Sequence, residues 1–461
     1  MIVGAGISGL ALAYRLRERC PHVDITLLER GSRPGGTIWT ERRAGFQVEI
    51  GPNGFLDNKQ STLALCRDAG LGARLIAASE EAGRNRYLFH QGKLRRLPNS
   101  LLSFLTSDLL SWSGKANILA ERFRRRRSDT ADESIHDFVR RRAGREAADL
   151  LADAFVTGIH AGDAKLLSAR AAMPRLVALE EQYGGVLKGL ARAARERRAR
   201  GEPRPGKMWS FREGLRLAVE TLGDRLANRL LRGVAVRRLE KTGEEMGGRA
   251  GWLIHGDGQD TWPADAVVLT CPAYEQADIL EFLDPELAER VREIRYNSVA
   301  VVALGYRRED VPTNLDGFGF IAPQSTKRDI LGVQWCSSIF QDRAPPGFAL
   351  LRAMCGGWNR PEIVGWQDSR LLQVVRGELR IAMGIVAEPV FDHLVRWDRA
   401  IPQYHLGHPE RVAWIRERAA SHPGLFLGGN AYEGIALNDC TEQAELLACR
   451  IEQYVTNQAD R

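Results

Sequence analysis

Apolar positions follow two spacings along this chain. After the apolar stub Met1-Ile2-Val3 and a glycine turn, Ala11-Leu12-Ala13-Tyr14-Arg15-Leu16 has helical spacing, and Asp24-Ile25-Thr26-Leu27-Leu28-Glu29 then reads as a strand. Leu231 to Leu239, Asp265 to Pro272 and Gly424 to Leu427 are further apolar runs of strand length, the last leading into a helix that continues through Ala444 to Ala448. In Val299 to Tyr306, Gly317 to Ile321 and Ala349 to Met354, alternation suits strands with one face toward a cavity. Residues 86 to 204 carry long helical patterns, among them Leu101, Leu102, Phe104, Leu105, Leu109, Leu110 and Trp112, which arginines follow. That apolar set fits a helix pair lying in a membrane surface or one packed into a core.

The first turn, Gly4-Ala5-Gly6-Ile7-Ser8-Gly9, is a G-x-G-x-x-G motif between a strand and a helix, the setting a dinucleotide requires. Gly4 permits the tight turn, Gly6 admits a pyrophosphate to the backbone, and Gly9 lets the helix pack on the sheet with its N-terminus facing the phosphates. Glu29 lies twenty residues beyond Gly9, where a carboxylate accepts hydrogen bonds from a ribose hydroxyl. Only three residues precede Gly4, whereas strands usually run ~5–6 residues. The first strand is therefore expected to be short or to start upstream, and a shortened strand to weaken cofactor retention.

With 461 residues, 44% of them hydrophobic, two or three lobes are expected rather than disorder. The net charge of +7 comes largely from arginine clusters at 122–127, 140–142 and 192–200, which read as solvated helix faces or as attraction for anionic substrates or lipids. Seven scattered cysteines without a C-x-x-C pair argue against a disulfide framework or thiolate metal site and fit a reducing compartment. No stretch approaches the ~20 apolar residues of a spanning helix, and no signal peptide precedes the glycine motif, so a cytoplasmic or peripheral location is expected. There is no G-x-S-x-G, no H-E-x-x-H, and His405 and His408 lack a third ligand, so no metal is expected, and no nucleic-acid partner.

A second glycine pair follows Glu29 in Arg30-Gly31-Ser32-Arg33-Pro34-Gly35-Gly36-Thr37, and Gly51-Pro52-Asn53-Gly54 follows Glu49. A simple NAD domain needs neither, and the pair resembles the R-x-G-G loop of amine-oxidase-like flavoenzymes. At the far end, Gly428-Gly429-Asn430-Ala431-Tyr432-Glu433-Gly434-Ile435-Ala436-Leu437 joins a strand to a helix. Free N–H groups at such a helix start stabilise the negative charge of a reduced flavin near N1. The expected cofactor is thus FAD.

Interior segments narrow the resemblance. Asp153-Ala154-Phe155-Val156-Thr157-Gly158-Ile159-His160-Ala161-Gly162-Asp163 with Leu167-Ser168-Ala169-Arg170, Met208-Trp209-Ser210-Phe211-Arg212-Glu213-Gly214-Leu215 and Ile401-Pro402-Gln403-Tyr404 are similar to the oxygen-dependent protoporphyrinogen oxidase family over nearly the whole chain. The resemblance implies an α/β and α+β architecture. A discontinuous Rossmann-like FAD domain (1–55, 205–290, 395–461) carries an inserted sheet-based substrate domain (56–85, 291–394) and a helical membrane-associating lobe (86–204). It implies FAD contacts at Gly4 to Gly9, Glu29, Arg30, Gly35 to Thr37, Gly51 to Gly54, Val236 beside adenine, Trp397, Gly429 and Gly434 to Leu437.

For the substrate it implies Arg86 on a propionate, the carbonyl of Ala161 or Gly162 on pyrrole N–H groups, and Ile321, Gln334 and Met354 clamping the rings. Gln334 departs from the usual apolar residue there. The implied reaction is six-electron oxidation of a porphyrinogen by hydride transfer to flavin N5, with dioxygen as acceptor, hydrogen peroxide as by-product and no protein acid or base. Implied partners are the porphyrinogen, dioxygen, a membrane surface, a second copy of the chain and a ferrochelatase receiving the product. Coproporphyrinogen III oxidase, an amine oxidase or carotenoid desaturase, and a non-catalytic flavin-binding scaffold are the alternatives, with Arg86 favouring the protoporphyrinogen reading.

Overall fold

A computed structural model describes residues 1–127, 129, 131–201, 206–243 and 251–459. Five parallel strands form the first sheet, in the order Leu230–Arg232, Leu27–Glu29, Ile2–Val3, Val267–Leu269, Leu425–Leu427. The short first strand lies at its centre and pairs on both sides, Ile2 with Leu27 and Val268. Helices Ile7–Arg19 and Leu437–Ala459 pack together on one face, burying Leu10, Leu12, Leu447 and Ile451. The two ends of the chain therefore share one core. The strand expected over Leu231 to Leu239 is two strands: Gly233, with φ of 76°, turns the chain after Arg232, and pairing resumes in Arg238–Thr242.

A second, seven-stranded sheet runs in the order Phe391–Trp397, Val299–Arg307, Phe348–Gly356, Gly332–Trp335, Gly319–Ile321, Tyr87–His90, Lys93–Arg96. Ala300, Val302 and Leu304 on one face pack against Leu371, Val375 and Leu379 of the helix Asp368–Met383. The other face turns Ala303 and Leu350 toward Phe46, Val48 and Ile50, next to the first sheet's loops. Residues 87–96, expected to open the helical lobe, are instead the edge hairpin of this sheet, and residues 395–397 complete its opposite edge strand. The boundary expected between 204 and 205 lies outside the described residues.

Short helices fill the segment from Leu101 to Ala199. The apolar run expected to form one surface divides: Leu109 and Leu110 enter a core with Leu88, Leu150 and Ala154, whereas Leu101, Leu102 and Trp112 are exposed. The arginine run 140–142 also divides. Arg142 is buried on Glu121, with Glu180 at 3.3 Å, and Arg141 bonds Glu133 and Glu180 at 2.6 Å each. These two are structural ion pairs rather than a solvated face. No helix among the described residues is long and apolar enough to cross a membrane.

Candidate active site

The glycine loops converge. Gly35 N–H donates to the Ala5 carbonyl at 2.7 Å, and Gly6 and Gly35 form a parallel bridge. A Cβ on Gly9 would lie 2.0 Å from the Gly4 carbonyl oxygen, so helix and turn touch backbone to backbone there. A Cβ on Gly6 would meet nothing within 4 Å, so the turn has the open space that a pyrophosphate needs. Thr270, at the end of the neighbouring strand, donates its hydroxyl to the Gly4 carbonyl at 2.8 Å and fixes the turn. Sequence reading missed it, although a hydroxyl residue ending a strand beside a glycine turn is a usable signal.

Glu29, expected on a ribose, holds protein. Its two carboxylate oxygens accept from Ala5 N–H at 2.8 Å and Gly31 N–H at 2.7 Å, and each keeps further lone pairs for a hydroxyl. Arg30 turns to Glu275 at 2.7 Å. Val236 is buried beside Val3 and Leu28.

From the second sheet, Trp397 donates its indole N–H to the Ile50 carbonyl at 2.9 Å, and Arg352 donates to the Gly51 carbonyl, so the loop 51–54 is held from that side. Pro52 and Gly54 flank Asn53, which is buried with its Nδ2 unpartnered among the described residues, a donor available to a bound group. Thr37 backs this loop: a Cβ on Gly51 would lie 1.9 Å from its carbonyl oxygen.

At the far end, Gly429 and Gly434 both have positive φ and bend the chain from the last strand into the last helix. The four residues expected to offer N–H groups do not do so equally. Ala436 N–H bonds the Asp439 carboxylate at 3.1 Å, and Lys59 pairs with Asp439 at 2.6 Å. Among the described residues Leu437 and Asn438 N–H have no acceptor, so these start the helix as free donors. Open space at Gly6, an orphaned amide on Asn53 and a free helix start together fit an FAD.

Strand register gathers the residues expected on the substrate. Ile321 pairs with Gly332, which pairs with Met354, and Gln334 pairs with Arg352, all on the face toward Gly51. Ile321 packs by Leu88 and Leu150, Met354 by Ala161 and Leu331. Arg86 is exposed at the edge, its guanidinium 5.1 Å over the Phe318 ring, with no ion-pair partner among the described residues.

Ala161 ends the helix Asp153–His160 in a left-handed conformation, φ 45°. Its carbonyl already accepts from Trp358 N–H and Asn297 Nδ2, both at 2.8 Å, which uses both lone pairs. The Gly162 carbonyl accepts only from Gln324 Nε2, at 2.7 Å, and keeps one free. Behind this turn the His160 carbonyl takes Asn297 Nδ2 at 2.8 Å and Gln403 Nε2 at 3.0 Å, and Tyr404 O–H reaches the Asn430 carbonyl at 2.5 Å. The Ile401 to Tyr404 motif thus ties the turn to the carboxy-terminal loop. Burial holds the His160 imidazole at a pKa of about 4, neutral at neutral pH.

A dinucleotide cradle closed from both ends of the chain, its inner loop gripped by a separate sheet, defines a flavin-dependent oxidoreductase. Residues 7–452 match the flavin containing amine oxidoreductase family, and the chain belongs to it, within the protoporphyrinogen oxidase group. It is 32% identical over 479 residues to the chloroplastic protoporphyrinogen oxidase of Nicotiana tabacum, covering 100% of this chain and 86% of that one. It is 29% identical over 462 residues to the coproporphyrinogen III oxidase of Bacillus subtilis (strain 168), covering 96% of each. A crystal structure of an Exiguobacterium sp. 255-15 protein superposes with a TM-score of 0.83 at 26% identity, over 98% of both chains. The cofactor is FAD.

Proposed function

We propose that the enzyme oxidises protoporphyrinogen IX to protoporphyrin IX in haem biosynthesis, passing six electrons to three molecules of dioxygen and releasing three of hydrogen peroxide. The observation that carries this reading is the shared sheet face: Ile321, Gln334 and Met354 form one surface whose inner end grips Gly51 of the cradle. A flat molecule lying between that face and the helix Asp153–His160 would be presented to the flavin position.

The five-stranded unit is read as the FAD domain, the seven-stranded sheet with residues 87–96 as the substrate domain, and the helices from Leu101 to Ala199 as the membrane-facing lobe. FAD, held by the glycine loops, Asn53 and the start of the helix Leu437–Ala459, would supply two-electron redox chemistry with dioxygen as the final acceptor. Arg86 grips a propionate through two parallel hydrogen bonds. The Gly162 carbonyl, with its free lone pair, receives a pyrrole N–H in preference to Ala161. Ile321 and Met354 cover the ring and exclude water, and neutral His160 leaves the pocket floor without an added charge. Two flanking pyrroles delocalise the positive charge left on the ring, so proton loss to water suffices and no protein base is assigned.

Coproporphyrinogen III is the second reading, favoured by the Bacillus subtilis relative and by a polar Gln334 on the clamp. Porphyrin fluorescence with each reduced substrate under air decides between them. Faster turnover of protoporphyrinogen is expected, and a clear preference for coproporphyrinogen would replace the first reading by the second.

Peripheral membrane association is proposed for the helical lobe. Leu101, Leu102, Trp112, Leu119 and Phe123 are exposed there, with Arg122 stacked on Phe123. This combination suits the boundary of an anionic lipid surface.

A further inference from the structure

Gln334 and Arg352 sit opposite each other on the sheet face, between Ile321 and Met354 on one side and Leu350 on the other. Gly319 pairs with Gln334 on its other side, and Arg86, one residue before the Tyr87 that pairs with Phe320, falls level with Gly319. Arg86, Gly319, Gln334 and Arg352 therefore occupy one row across four neighbouring strands. At ~4.8 Å per strand, the backbones of Arg86 and Gln334 are about 10 Å apart. Nothing can fill the gap between them: Gly319 has φ of 126°, and a Cβ there would lie 2.0 Å from the Val333 carbonyl oxygen.

Arg352 is 4% exposed and has no carboxylate within ion-pair distance among the described residues; the buried Glu49, 3.9 Å from Arg343, attracts it from farther off. Its guanidinium donates to Gln334 Oε1 at 3.0 Å and to the Gly51 carbonyl, and its Nε has no partner among the described residues. Arginine only donates, so it can hold the amide of Gln334 by the oxygen alone. That contact turns the Gln334 Nε2 away from Arg352. Gln334 is half-buried, and its Nε2 has no partner among the described residues. Two N–H donors backed by a buried guanidinium that no carboxylate contacts make a site for an anion, and a carboxylate satisfies both the donors and the charge. In a porphyrinogen the carboxylates are the propionates, while the ring nitrogens are donors themselves.

We propose that Gln334, oriented by Arg352, receives a propionate of the substrate. It is a second anchor level with Arg86, and it sets how strongly the chain discriminates between porphyrinogens with four carboxylates and with two. The inference rests on the porphyrinogen reading above. Gln334 touches substrate, whereas Arg352 is a positioning residue that acts through it.

The test uses the FAD-loaded full chain and the variants Gln334→Leu, Gln334→Glu and Arg352→Met. Two readouts are taken: binding of coproporphyrin III and of its tetramethyl ester by fluorescence titration, and kcat and KM for coproporphyrinogen III and protoporphyrinogen IX. Gln334→Glu can pair with Arg352 and so keeps the fold while turning negative charge toward the ligand. The free acid should lose about tenfold in affinity relative to its ester in Gln334→Leu, the factor one charge-assisted hydrogen bond supplies, and more in Gln334→Glu. The KM ratio of the two porphyrinogens should shift the same way, with kcat changing less.

Arg352→Met should match Gln334→Leu, and combining the two should add little, because the pair acts as a unit. An unchanged acid-to-ester ratio in both Gln334 variants would overturn the inference. An Arg352→Met chain that loses FAD yet keeps the ratio would overturn the role given to Arg352. A wild-type chain that oxidises neither porphyrinogen would instead remove the functional reading, which separates the two failures.

Discussion

The glycine loops and the seven-stranded sheet meet at Ile50 and Gly51, yet they are built in opposite ways. In the loops the fit depends on side chains that are missing: Gly9 lies against the Gly4 carbonyl and Gly51 against that of Thr37, so added atoms collide with backbone. On the sheet the fit depends on side chains that are present, and Ile321, Gln334, Arg352 and Met354 can be exchanged without touching the ladder that carries them. A cofactor common to many enzymes is thus held by fixed backbone. On the reading proposed above, the ligand that distinguishes them rests on replaceable side chains.

The contrast breaks most visibly in the cradle. Gly9→Val should abolish flavin retention and destabilise the fold by about 4 kcal/mol or more, because the Gly4 carbonyl and Thr270 hydroxyl cannot move aside. Flavin absorbance after gel filtration, together with thermal unfolding, checks this. A variant that keeps stoichiometric FAD would refute the steric account.

Acid should act on the helices packed behind both regions, Asp153–His160 and His408–Ala420. Burial keeps His160 and His408 at pKa values of about 4, well below the ordinary ~6.5, so between those values the unfolded chain takes up protons that the folded chain refuses. Stability therefore falls as pH drops from ~6.5 toward 4 and levels off below. Each histidine contributes a loss of roughly 3 kcal/mol to that fall. Melting temperatures against pH should show a shallower slope in His160→Gln than in wild type; parallel curves would show that His160 is not involved.

A smaller effect is expected at the edge of the face. Arg86→Ala should raise KM for protoporphyrinogen about tenfold and lower kcat less, since a propionate anchor binds ground and transition states alike. Flavin content should stay at the wild-type level, in contrast to Gly9→Val. An unchanged KM would remove Arg86 from the site. The smallest change lies outside both regions: Trp112→Ala should weaken sedimentation with anionic vesicles about threefold, from lost apolar contact, and leave turnover in detergent unaltered. Equal sedimentation would leave the exposed set without a membrane role.

The same contrast governs what the sequence reveals. Gly4, Gly6, Gly9 and the 35–36 pair were readable because steric need leaves a glycine behind, and their convergence follows from local turns. Register does not leave such a mark. That Gln334 faces Arg352 depends on the register between two neighbouring strands 18 residues apart, and that residues 87–96 edge the second sheet depends on the distant pairing of Tyr87 with Phe320. Arg352 did leave one sign, as the only charged residue in the apolar run Ala349 to Met354.

Charge runs misled for a related reason, since the glutamates that bury Arg142 come from positions 121 and 180. Backbone acceptors are invisible in side-chain letters. Hence the filled Ala161 carbonyl and the free one on Gly162 emerge only when Trp358, Asn297 and Gln324 are in place.

The central claim, that the sheet face presents a porphyrinogen to the flavin held by the glycine loops, is tested most directly by anaerobic mixing. The FAD-loaded chain is combined with protoporphyrinogen IX without oxygen, and then air is admitted. The flavin absorbance should bleach on mixing, then recover in air as porphyrin fluorescence rises. A flavin that stays oxidised with protoporphyrinogen and with coproporphyrinogen alike would contradict the account.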